Sequence, residues 1–200
     1  QELLNEAKRL ASEGVKELVL VAQETTLYGK DLTGEKQLPL LLHELCKIEG
    51  IEWIRLLYCY PEEITDELIK VIKTEEKVCN YIDMPIQHSE NRILQRMGRR
   101  TSREDLVAVI KKLRKEIPDI TIRTTLITGF PGESQEDHEG LMNFVEECQF
   151  DRLGVFTYSP EDDTLAATFE DQIDEEVKEE RRDELMSLQQ EISYEHTQQL

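Results

Sequence analysis

The sequence has little cysteine and none of it is paired. Four cysteines stand at 46, 59, 79 and 148 of 200 residues, and no two have CxxC or CxxxC spacing. That excludes a zinc ribbon and a complete local iron–sulfur loop, so no metal ligand is read from this chain. What remains is a set of buried or half-buried thiols in a reduced, cytoplasmic protein. Long apolar runs are also missing. Nothing approaches the ~20 residues of a membrane span, and no leader peptide opens the chain, so no membrane partner is expected. Basic residues are scarce: 24 Lys and Arg face 43 Asp and Glu, for a net charge of −19. Phosphate backbones are bound by Lys and Arg that release counterions, so direct nucleic-acid binding is not expected of this domain. The same field favours a basic protein partner, although ordinary solubility also accounts for it. Internal repeats and low-complexity linkers are absent, which leaves one domain or a large piece of one. The chain has no initiator methionine and opens inside an amphipathic helix with Leu3, Leu4, Ala7, Leu10 and Ala11 on one face. No N-cap precedes it, so a missing upstream segment is expected.

What is present is an alternation of strands and helices. Runs at 17–23, 53–60, 78–84, 120–128 and 152–158 read as strands. Between them, Pro39 opens a helix carrying Leu41, Leu42 and Leu45. Thr65 caps one with Leu68, Ile69 and Ile72, and Ser102 caps one with Leu106, Val109, Ile110 and Leu113. Ser134, with Asp137 three residues on, has nearly the form of a capping box ahead of Leu141, Phe144 and Val145. Repeated βαβ units imply an α/β fold with a parallel sheet and right-handed crossovers. Five strands are too few for a closed eight-stranded barrel, so the expected architecture is an open, partial TIM-like (β/α) barrel over 1–172. A long polar helix, from Asp174 to about Gln199 with Val177, Leu185, Leu188 and Ile192, makes a C-terminal segment 173–200 leading to a downstream domain. Residues 161–184 hold 12 acids and three bases, a pattern expected of a solvated face.

The most informative stretch is 120–133. Ile120 to Thr128 is β-branched and apolar, and Gly129-Phe130-Pro131-Gly132-Glu133 then stops the strand in a rigid turn. In parallel α/β folds, ligands bind where strands end at such elbows. The shared rim would hold Gln23 and Glu24; Tyr58 and Tyr60; Asp83, Gln87 and His88; Arg123 and Thr125 with the Gly129 elbow; and Tyr158 and Ser159. Their convergence points to a small-molecule site. Taken singly, His88 reads more readily as a structural hydrogen-bonding histidine than as a base, and no catalytic residue is assigned.

These residues also carry a family resemblance over practically the whole chain. Asp83-Met84-Pro85-Ile86-Gln87-His88, Ile93-Leu94-Gln95-Arg96-Met97, Arg123-Thr124-Thr125 with the Gly129–Glu133 elbow, Phe150-Asp151-Arg152-Leu153-Gly154 and Tyr158-Ser159 resemble the radical-SAM methylthiotransferases. Within that family, Trp53 to Tyr58 and Gln23 to Gly29 are similar to the branch acting on an aspartate of a small-subunit ribosomal protein. The branch that methylthiolates tRNA adenosine shares the elbow. It usually shows a His-Leu-Pro-Val-Gln-Ser-Gly type segment in place of Asp83–His88, and Ser-Thr-Asp in place of Arg123-Thr124-Thr125. Glu24 where Asp is usual, Gly98 where Asn is usual, and Glu161-Asp162-Asp163 are small departures. The large departure is the absence of the CxxxCxxC loop that holds the cluster of radical-SAM enzymes.

The resemblance implies that the complete enzyme uses S-adenosyl-L-methionine (SAM) and 4Fe–4S clusters whose ligands are not in this chain. It also implies a basic small-subunit ribosomal protein as substrate. Gln23 and Glu24 would lie near the SAM amino group, Arg123 near its carboxylate and Gln87 near the ribose. Backbone from Ile127 to Gly129, with Tyr158, would border the adenine. A guanidinium suits a carboxylate because it can donate two hydrogen bonds at once. A salt bridge inside the barrel is the competing account of Arg123. A non-catalytic α/β binding domain remains the alternative from a different class.

Overall fold

The structure is a computed structural model, and it describes residues 1–198. The described elements are α1 (Glu2–Ser12), β1 (Glu17–Leu20), α2 (Lys30–Thr33), α3 (Leu38–Cys46), β2 (Trp53–Leu56), α4 (Asp66–Thr74), β3 (Val78–Asp83), α5 (Asn91–Arg96), α6 (Arg103–Glu116), β4 (Thr121–Thr128), α7 (Gln135–Cys148), β5 (Arg152–Thr157) and α8 (Glu175–Gln198). Strands follow one another in chain order with helical crossovers between them, the topology of an unclosed (β/α) barrel. All five expected strands are present. The residues divide into two compact units: Gln1–Met84 with Lys111–Thr121, and Pro85–Ile110 with Ile122 onward.

In the first unit β1, β2 and β3 lie side by side and parallel. The first two are shorter than their apolar runs. β1 ends where the Ala22 amide donates to the Thr25 hydroxyl, at 3.2 Å, instead of continuing the ladder. β2 ends before Tyr58, which takes a left-handed φ of 57° that no strand residue adopts. The core comes from the helical stripes read in the sequence: Leu38, Leu41, Leu42 and Leu45 of α3, and Leu68, Ile69 and Ile72 of α4, are all buried. Thr65 caps α4 by accepting from the Leu68 amide at 3.2 Å. α1 is the helix expected at the start of the chain; on its apolar face Ala7 is buried, Leu4, Leu10 and Ala11 are half-buried and Leu3 is 45% exposed.

In the second unit β4 and β5 are parallel, in the register Arg123↔Arg152 through Thr128↔Thr157. Ser134 and Asp137 complete a capping box on α7. Burial works against the Asp137 carboxylate, but the Ser134 hydroxyl and amide together with Arg92 outweigh it and hold its pKa below the ordinary value. α8 packs on β5 and α7. Its buried side chains are Lys178, Arg181, Leu185, Gln189 and Ile192, whereas the expected apolar positions Val177 and Leu188 are only half-buried. The stripe is rotated because long polar side chains find backbone carbonyls beneath the helix. Gln199, the expected last residue of this helix, lies outside the described residues. α2 and α5 have no counterpart in the periodicity of the sequence, being short.

Candidate cofactor-binding site

β4 shows how the second unit offers a surface. Ile122, Thr124, Leu126 and Thr128 are buried, while Thr121, Arg123, Thr125 and Ile127 are half-buried. One face of the strand is therefore closed and the other partly open. Residues paired in a parallel ladder point the same way, so the open face continues onto Arg152, Gly154 and Phe156. Phe156 is 61% exposed. A Cβ at Gly154 would meet only the Phe156 ring, at 3.8 Å, so the face dips beside Thr125. Arg123 lies on this face and has an interaction partner within the protein.

Gln87 is bound to the same strand. Its amide donates to the Thr125 carbonyl at 2.9 Å, and the Ile127 amide donates to the Gln87 carbonyl at 2.8 Å. This isolated parallel bridge with Leu126 holds Gln87 at a left-handed φ of 71°. The Ile127 amide is committed there, and its side chain packs on the Ile93, Phe130 and Tyr158 cluster.

Beyond β4 the elbow is fastened from inside. Gly129 takes φ 68°, and its amide donates to Glu133 Oε2 at 2.9 Å. Glu133 Oε1 accepts from Arg181 Nη1 at 2.8 Å. Both carboxylate oxygens are thus engaged by the backbone and by α8. His88 is fully buried: the Glu90 amide donates to its Nδ1 at 3.0 Å, and Nε2 lies 3.5 Å from Glu133 Oε2. Nδ1 thus accepts one backbone hydrogen bond, and Nε2 has no hydrogen-bond partner among the described residues. Tyr158 is buried, with its ring edge-on to Phe130 at 5.1 Å, and its amide donates to the Thr128 carbonyl at 2.8 Å.

Gln23 and Glu24 belong to the first unit. Gln23 is exposed. Glu24 Oε1 accepts from the Thr26 hydroxyl and amide and, at 3.4 Å, from the Tyr60 amide. Burial raises the Glu24 carboxyl above its ordinary pKa, the hydrogen bonds from Thr26 and Tyr60 oppose that, and Glu62 adds to it. In the same unit the Tyr58 and Cys59 amides donate to Asp83, at 3.1 Å to its Oδ2 and 2.9 Å to its carbonyl.

The structure thus brings Gln87, Arg123, Ile127, Gly129 and Tyr158 together on β4 and its elbow. Four of the residues expected at the rim carry a buried polar atom with no hydrogen-bond partner among the described residues: Glu24 Oε2, Gln87 Oε1, His88 Nε2 and Tyr158 OH. An unpaired buried polar group costs about 1–3 kcal/mol, a cost that a polar partner at these positions would remove. Gln87 Oε1 and Tyr158 OH belong to the second unit and Glu24 Oε2 to the first. Iron–sulfur clusters do not fit the residues present. Among the described residues no group of three His, Cys, Asp or Glu could hold a metal, and Cys59 and Cys148 are buried and outside any disulfide. Lys178 and Arg181 escaped the sequence reading, and Glu133 entered it only as the last residue of the elbow.

The chain belongs to the radical SAM superfamily, whose family model matches residues 1–145. It is 63% identical over 195 residues to the ribosomal protein uS12 methylthiotransferase RimO of Lachnoclostridium phytofermentans, and 58% identical to that of Clostridium perfringens. Each match covers 98% of this chain and 44% of the relative, so the chain spans less than half the length of these proteins. The solved radical SAM methyltransferase TsrM of Kitasatospora setae superposes with TM-score 0.60 at 17% identity, over 77% of this chain and 30% of that one. That likeness is one of fold.

Proposed function

We propose that this chain is the SAM-facing part of a longer, cytoplasmic radical-SAM methylthiotransferase acting on an aspartate β-carbon of ribosomal protein uS12. The observation that carries the reading is the 63% identity over 98% of the chain to a protein of that name. The three orphaned polar atoms among the expected cofactor residues support it independently.

When bound, SAM and the 4Fe–4S clusters supply the radical chemistry, the sulfur and the methyl group. This chain's own residues bind and orient. Arg123 would hold the cofactor carboxylate in a two-pronged contact. Glu24 would accept from its amino group, with Gln23 beside it, and Gln87 would accept from the ribose. The Ile127–Gly129 backbone and Tyr158 would border the adenine on a wall that Phe130 and Phe169 keep apolar and dry. The net charge of −19 suits a basic ribosomal protein as substrate, and repels nucleic acid.

The test uses the full-length protein with clusters reconstituted, incubated with SAM, a reductant and uS12. Gain of one methylthio group on an aspartate, seen by peptide mass spectrometry, is the expected result. A methylthio group on tRNA adenosine instead would assign the sister branch. SAM-independent uS12 binding with no modification of either would make this a binding domain.

A further inference from the structure

The buried face of α8 carries Leu185 and Ile192, but its other buried side chains are polar. A helix serving only to cover β5 would need apolar residues at 178, 181 and 189, yet Lys, Arg and Gln are there, all buried. Each donates to a backbone carbonyl beneath it. Lys178 Nζ donates to Tyr158 O at 3.0 Å, Arg181 Nη1 to Glu133 O at 3.1 Å, and Gln189 Nε2 to Phe150 O at 2.8 Å. The Thr128 hydroxyl donates back to the Lys178 carbonyl at 3.2 Å. Lys178 therefore grips the ends of both β4 and β5. Arg181 reaches the Gly129 amide through the Glu133 carboxylate. A buried ammonium or guanidinium is tolerated only where such partners meet it, and Glu175 supplies the Lys178 counter-charge at 3.0 Å.

We propose that Lys178 and Arg181 are positioning residues for the cofactor rim, so that α8 sets the conformation of the Gly129–Glu133 elbow and of Tyr158. The inference rests on the assignment of that rim to the adenosyl end of SAM. Neither side chain is assigned a contact with the cofactor. They act on it through the Glu133 carboxylate and the Tyr158 carbonyl, and displacement of α8 loosens both walls together.

The test compares wild type, Lys178→Met, Arg181→Met and Arg181→Lys in the full-length, cluster-loaded protein. Two quantities are read: exchange rates of the Gly129 and Tyr158 amides, and the SAM dissociation constant by calorimetry. In both Met variants the two amides should exchange faster. SAM binding should weaken about ten-fold, the size of effect that a packed hydrogen-bond network transmits. The KM for SAM should rise while kcat at saturating SAM is held, and Arg181→Lys should recover part of the loss. Should a Met variant fail to fold, Arg181→Lys read by the same two measurements decides. Variants that lose thermal stability but keep wild-type SAM affinity would make α8 mere packing and overturn the proposal. If wild type itself binds no SAM, the assignment of the rim fails. The coupling is then judged on amide exchange alone, and unchanged exchange overturns it.

Discussion

Lys178 lies so close to Gly129 that a Cβ on the glycine would collide with Lys178 Cγ. Gly129 also needs its left-handed φ of 68°. Two separate requirements, conformational and steric, thus fix glycine at the elbow. Gly129→Ala should cost about 2–4 kcal/mol, the sum of left-handed strain and overpacking. Lys178→Ala makes room for the methyl. In a double-mutant cycle by urea denaturation, the pair should therefore fall short of the summed single costs by about 1 kcal/mol or more. Strict additivity would mean that the helix does not press on the elbow.

The elbow also shows where the sequence was legible. Local signals translated directly. Thr65 and Ser134 cap the helices expected of them, and the β-branched run at 120–128 is β4 with only its first residue trimmed. Helices read from leucine spacing, such as α3, bury those leucines. What stayed hidden depends on distant partners. The burial of Lys178 and Arg181 is set by carbonyls at 158 and 133, remote in sequence, and hydrophobic periodicity points to Val177 and Leu188 instead. Tyr58 ends β2 because its amide serves Asp83, a residue of another strand. Gln87 was singled out as a motif residue, but its left-handed bridge to β4 leaves no local signature.

Glu24 gives a pH test. Its carboxyl is held above the ordinary value, chiefly by burial, so the folded state retains a proton that the unfolded chain has released. Between those two values the native state binds more protons, and stability falls as pH rises through the window. Above it the cost is fully present. Glu24→Gln keeps an oxygen acceptor for Thr26 and Tyr60 but cannot ionise. Melting temperature against pH should therefore be flatter for the variant than for wild type. The two should converge in acid and separate in favour of Glu24→Gln near neutrality. A wild-type curve that instead rises through this window would mean that the hydrogen bonds outweigh burial.

Cys46 is half-buried, and its thiol is pushed up to about 11 from 9.0 by burial, with the Glu75 charge and hydrogen bond adding to it. Only the thiolate attacks an alkylating reagent. A thiol raised from 9.0 to about 11 is about a hundred-fold less ionised at neutral pH. Iodoacetamide should accordingly label Cys46 about a hundred-fold more slowly in the native protein than in urea. Glu75→Gln should recover part of that rate, because the charge is removed and the burial is not. Peptide mass spectrometry of timed quenches gives both rates, and Cys46 labelled at the unfolded rate would contradict the burial.

Arg123 separates the cofactor reading of β4 from a purely structural one. It sits half-buried on the partly open face, paired in register with Arg152 of β5. If it holds the carboxylate of SAM, the planar guanidinium supplies two parallel donors that a lysine ammonium cannot reproduce. Arg123→Lys in the full-length protein should then weaken SAM binding although the charge is kept. Loss of one charge-assisted hydrogen bond costs about 1.5–3 kcal/mol, equivalent to roughly ten- to a hundred-fold in affinity. Fold and cluster content should not change, because the open face of β4 bears no core side chain at this position. Calorimetric titration of SAM into wild type and variant, each with clusters reconstituted, supplies the two dissociation constants. Equal values, with a lowered melting temperature, would make Arg123 a structural partner of its neighbours, and the carboxylate contact would have to be sought elsewhere on the rim.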